Sequence, residues 1–112
     1  MHIVKAVRLQ PNFTECHANL GHLYRDKGNL QHSRAYFLTA VHLDPTSADN
    51  FNNLACICKD LSLIMEAIEY YGRSLKLDPN NSNVYCNMVH SLQMVRKEKN
   101  LHRTKHACAR EF

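Results

Sequence analysis

Eight histidines and five cysteines in 112 residues are the side chains here most able to hold a metal or act as nucleophiles. Their spacing argues against both uses. Cys56 and Cys58 are two apart, so on a helix they point to nearly opposite sides and cannot share an ion. Cys86 and His90, at i and i+4, could meet Cys56 from an adjacent helix; His102, His106 and Cys108 form a looser set near the end. Neither set has the spacing of a closed zinc site, so no metal and no cofactor are expected. No Gly-rich phosphate loop or partnered catalytic base stands out, and no catalytic residue is assigned.

A different chemistry lies in the amides. Asn19, Asn53 and Asn87 are 34 residues apart, and each offers a donor and an acceptor that can pair with the backbone of an extended peptide without reading its side chains. Whether they share a face depends on the elements that carry them.

Those elements repeat. Pro11, Pro45 and Pro79 share the same interval, as do Leu9, Leu43 and Leu77, and Leu20, Leu54 and Met88. Between the prolines the apolar spacing is helical: His17, Leu20, Gly21 and Tyr24 fall at i, i+3, i+4 and i+7. Phe51, Leu54, Ala55 and Cys58 repeat that stripe, and Tyr85, Met88, Val89 and Leu92 make a third copy. A second helical run follows each stripe, with Ser33, Phe37, Ala40, Val41 and Leu43 inward, then Ala67, Tyr71, Ser74, Leu75 and Leu77. One unit is therefore an antiparallel pair of helices, A and B.

Gly28 supplies the left-handed residue that ends the first A helix. Ser62 and Leu63 replace Gly28 and Asn29 in the next unit, and Cys58 replaces Tyr24, so that unit is expected to be looser but still helical. Residues 1–11 match only the back half of a B helix, with Ile3, Ala6, Val7 and Leu9 in packing register. After Val95 the register fails. The expected organisation is a repeat array over 1–95, comprising a partial repeat 1–13, repeats 14–47 and 48–81, and the A helix of a third at 82–95, followed by a basic tail or capping helix over 96–112.

This pattern of an aromatic, a Leu, a small residue and a Tyr on helix A, then small, aromatic, small and Pro on helix B, resembles the tetratricopeptide repeat. The implied fold is all-α, a right-handed superhelix of antiparallel helix pairs. The face of helix A opposite its own B helix is free to line the concave groove. Helical phase puts Glu15, Ala18, Asn19 and His22 there in the first repeat, Asp49, Asn52, Asn53 and Cys56 in the second, and Asn83, Cys86, Asn87 and His90 in the third. A groove of this kind would take protein or peptide ligands. A clamp for chaperone C-terminal carboxylates would need basic residues where Ala18, Asn83 and Asn87 stand.

"EAI", "LKLDP" and "YCNMVHSLQMV" look like the last repeats of the protein O-linked N-acetylglucosamine transferases, just before their catalytic region. The resemblance implies that Asn19, Asn53 and Asn87 belong to a ladder holding protein substrates and adaptors. It carries no chemistry to this chain, since glycosyl transfer from UDP-N-acetylglucosamine would need a catalytic region after residue 95.

Charge adds little. Residues 1–95 hold eight Lys or Arg against eight Asp or Glu, and residues 96–112 hold six against two. No aromatic is interleaved with the basic residues from Arg96 to Arg110, so nucleic acid is not the expected partner. No stretch is long and apolar enough for a membrane span, and no apolar signal core is present at the start. With cysteines that form no disulfide framework, the expected location is cytoplasmic, nuclear or both. The open half-repeat is expected to give weak self-association through Ile3 and Val7.

Overall fold

The computed structural model describes residues 13–111, with side chains described through residue 101. The half-helix expected over residues 1–11 lies outside this range. Among the described residues there are five helices and no strand: α1 (Phe13–Asp26), α2 (Leu30–Leu43), α3 (Ala48–Asp60), α4 (Ile64–Leu77) and α5 (Ser82–Glu111). Each helix packs on the next in sequence, giving an elongated body of 78 × 30 × 19 Å. This is an all-α solenoid of helix pairs, α1 with α2 and α3 with α4, with α5 as a third A helix.

Short polar side chains open three of the helices. Asn29 Oδ1 accepts from the His32 amide at 3.4 Å, Ser47 Oγ from the Asn50 amide at 3.3 Å, and Asn81 Oδ1 from the Val84 amide at 3.3 Å. Leu63, before α4, gives no such bond.

Both A-to-B turns close the same way. The Gly28 amide donates to the Arg25 carbonyl at 2.9 Å and the Asn29 amide to the Tyr24 carbonyl at 2.8 Å; Ser62 and Leu63 repeat this to Lys59 at 3.0 Å and Cys58 at 2.8 Å. These are the two bonds of a Schellman motif, whose fifth residue must be left-handed. Gly28 has φ 79° and Ser62 φ 65°, so the second turn reaches the required shape without glycine.

The core runs through the seams between helices. Phe37, Leu54, Ala55, Ile57, Cys58, Ala67, Tyr71 and Val84 are fully buried, and a buried side chain the size of Phe37 or Leu54 contributes about 1.5–3 kcal/mol by leaving water. The Ser33 hydroxyl donates to the Gly21 carbonyl at 2.6 Å, and that of Ser74 to the Ala48 carbonyl at 2.8 Å, pinning B to A within each repeat. Across the repeat boundary, Arg34 Nη2 meets Glu66 Oε2 at 2.9 Å and Arg25 Nη2 meets Asp60 Oδ2 at 3.4 Å.

Cys58 and Glu66 mark where the two repeats differ. In the first, Tyr24 stacks on both His32 and Tyr36, with centroids 5.4 and 5.3 Å apart. Thirty-four residues on, Cys58 and Glu66 stand in place of Tyr24 and His32, and the Cys58 thiol lies 3.9 Å from Glu66 Oε2. The carboxylate that replaces an imidazole there is the one that pairs with Arg34. Cys58 is fully buried, so the substitution leaves no opening at that site.

Three sequence expectations need correction. Leu43 and Leu77 are about half exposed rather than inward, because each is the last residue of its B helix and overhangs the turn. Tyr85, Val89 and Leu92 are exposed, since no B helix lies over α5 among the described residues; α5 packs on α4, and Val84 and Ser91 are its buried positions instead. The backbone also does not fold back after residue 95 as a separate cap. Arg96 stands at the position of Gly28 and Ser62, and no Gly or Pro follows it, so nothing stops α5 before Glu111.

Candidate peptide-binding face

The free face of the A helices is set by what covers their other sides. Phe51, Leu54, Ala55, Ile57 and Cys58 of α3 are buried against the neighbouring B helices, which leaves Asp49, Asn52, Asn53 and Cys56 on the remaining arc. Asp49 is exposed, and the other three are half-buried. On α1, Asn19 and His22 are exposed; on α5, Asn83 and His90 are exposed and Asn87 is half-buried.

Adjacent A helices touch along this arc. Asn53 Nδ2 lies 3.4 Å from His22 Nε2, within hydrogen-bond reach. The imidazole is also held edge-on to Phe37, with ring centroids 5.0 Å apart. A core ring thus orients His22, and His22 in turn meets the middle amide of the series. The side chains of Asn19 and Asn87 make no hydrogen bond among the described residues.

A second chain of contacts reaches the same face from inside. The Tyr71 hydroxyl donates to Cys56 Sγ at 3.3 Å, and the Cys56 thiol donates to Asn52 Oδ1 at 3.8 Å. Burial, and then the bond to Cys56, push the Tyr71 phenol far above its ordinary pKa, so it remains a donor. Sequence reasoning found Asn52 and Cys56 by helical phase. It missed Tyr71, because the contact depends on how α4 crosses α3.

No three His, Cys, Asp or Glu residues converge on a possible metal position among the described residues. Cys56, Cys86 and His90 are therefore not gathered into a ligand set, and His102, His106 and Cys108 have no described side chains. No described helix is long and apolar enough to cross a membrane.

Two models of the tetratricopeptide repeat match the chain, one at residues 14–47 and the other at 48–81, together more than half of its length. The chain belongs to the tetratricopeptide-repeat proteins, a class built as protein–protein interaction modules. Its fold is similar to a crystal structure of MamA, with a TM-score of 0.73 and 22% identity over 85% of this chain. The match spans 56% of that chain. No curated protein matches the sequence.

Proposed function

We propose that the chain binds extended peptide or protein segments along the amide-lined face of its A helices, with Asn19, Asn53 and Asn87 as successive rungs. The observation that carries this reading is the contact between His22 and Asn53, which makes the faces of α1 and α3 continuous. Asn52, Asn83, Asp49 and His90 flank the rungs. Amides satisfied by a peptide backbone would give affinity with little sequence preference, and the neighbouring side chains would supply selectivity.

The resemblance of "EAI", "LKLDP" and "YCNMVHSLQMV" to the last repeats of the O-linked N-acetylglucosamine transferases motivates a finer version, in which the chain presents substrates or adaptors within such a protein. Its free thiols, Cys16, Cys56, Cys58 and Cys86, suit the reducing cytoplasm or nucleus where that work would occur.

Replacing Asn53 and Asn87 together by Ala tests the face. Capture of unstructured peptides should weaken about tenfold or more, at ~1 kcal/mol for each lost hydrogen-bonding side chain, with helicity unchanged. Unaltered binding would remove the amides from the mechanism. The alternative reading, that the chain is part of an O-linked N-acetylglucosaminyltransferase and itself takes part in the transfer, is tested by incubating it with UDP-N-acetylglucosamine and an acceptor protein, where no transfer is expected.

A further inference from the structure

The strongest unexplained feature is the seam on α5 that a B helix would cover. Tyr85 is 59% exposed and Leu92 44%, whereas Phe51 and Cys58, their equivalents one repeat earlier, are 4% and 0% exposed under α4. Val89 is also exposed, where Ala55 is buried. Three positions of a stripe buried in one repeat are exposed in the next, and the fourth, Met88, is half-buried against the core.

Residues 1–11 of the same sequence carry the complementary pattern. Ile3 stands 34 residues before Phe37, Ala6 before Ala40, Val7 before Val41 and Leu9 before Leu43. We propose that this segment of one copy docks on the α5 seam of a second copy, in the place a B helix takes, so that the two copies together complete one composite repeat.

Size complementarity favours this occupant over an ordinary B helix. A Cβ on Gly21 would lie 2.7 Å from the Phe37 ring, so an aromatic there requires a very small residue opposite. The equivalent position on α5 is Val89, which is too bulky for such a ring. Ile3 is the residue that residues 1–11 bring to the ring's place, and it is smaller. The exchange of volume runs in opposite directions on the two surfaces.

Chain direction also permits the docking. In an antiparallel pair the back half of B packs on the front half of A, as the bond from Ser74 to Ala48 shows. A segment aligned with the back half of B would therefore cover residues 82–92 and leave the continuation of α5 beyond Arg96 clear. The contact is heterologous, each copy using two different surfaces, so it propagates head to tail. A contact made by so short a segment buries less than the roughly 1,200 Å² of a stable complex, so association is weak and rises with concentration.

Sedimentation of the 112-residue chain over a concentration series tests the proposal, alongside Ile3→Arg and Val89→Arg. The native chain should show a weight-average mass that climbs with concentration. Each variant alone should stay monomeric with native helicity by circular dichroism. Mixed one to one, they should form a two-chain species and nothing larger, because each retains one intact surface. Leu92→Glu, also on the exposed seam, should behave as Val89→Arg does.

A native chain that is monomeric at every concentration would overturn the proposal. So would association that survives Val89→Arg. Loss with Val89→Arg but not with Ile3→Arg would mean that α5 pairs with α5 or another segment, and failure of the mixture to associate would refute the composite repeat. None of these substitutions touches the amide rungs, so peptide capture reads out separately.

Discussion

Ser62 adopts the backbone conformation of Gly28, with φ 65° against 79°, at the same position of consecutive repeats. The two residues close identical pairs of hydrogen bonds, but only one of them is free of a Cβ. A non-glycine residue held left-handed costs about 1–2 kcal/mol, part of which glycine gives back through its freer unfolded chain. Ser62→Gly should therefore stabilise the chain by roughly 0.5–1 kcal/mol, raising the thermal midpoint by a few degrees. An unchanged or lower midpoint would mean that Ser62 makes compensating contacts.

Gly21 is the reverse case. It has no unusual φ, yet a methyl group there would meet three Phe37 ring carbons at 2.7 to 2.8 Å. Gly21→Ala should destabilise by about 1–3 kcal/mol, despite the better helix propensity of alanine, because the ring has to shift within a packed seam. Chemical denaturation with a constant m-value would measure it. The Phe37→Leu background should relieve part of the loss.

These two glycine positions show how unevenly the fold was legible in the sequence. Three prolines at one interval and the His17-to-Tyr24 stripe revealed the helix pairs, because period survives in a single chain. The fate of each stripe depended on its neighbours. Phe51 and Tyr85 carry the same pattern, but among the described residues only Phe51 has a B helix over it. Failure of register after Val95 left a basic tail or a capping helix open, and the structure runs α5 on without a break, since a helix ends only where something stops it. On the free face of the A helices, phase located His22 and Asn53; the Tyr71 contact to Cys56 was invisible because no local spacing encodes a crossing angle.

The cysteines divide by exposure. Cys16 and Cys86 are exposed, whereas burial pushes the Cys58 thiol up, against the opposing pull of the Arg34 guanidinium. Iodoacetamide followed by mass spectrometry should label Cys16 and Cys86 in the folded chain. Cys58 should be labelled only on unfolding, since both access and thiolate fraction are low. Labelling of native Cys58 at the rate of Cys86 would show that the α3–α4 seam opens readily.

Asp44 gives a pH dependence with a defined sign. The Thr46 hydroxyl and then the Thr46 amide, which donates at 3.0 Å, hold its carboxyl below the ordinary carboxylate pKa. The group favours folding fully above the unfolded value of about 3.9, and that contribution disappears as pH falls through the lower folded value. Thermal melts of the native chain should lose stability on acidification below that range. Asp44→Ala should be less stable at neutral pH, with a smaller acid-induced loss. Parallel curves for the two would remove Asp44 from the effect.

α3 is the one described A helix with a described B helix on each flank, and it supplies Phe51, Leu54, Ala55, Ile57 and Cys58 to the core. Mechanically it is a keystone. Among the described helices, α1 and α5 are each held along one side, so a force drawn between them would peel them first while α3 kept its grip on two partners. Asn52 and Asn53 ride on that last-yielding helix, so the middle of the face keeps its shape under a load that has already loosened its margins.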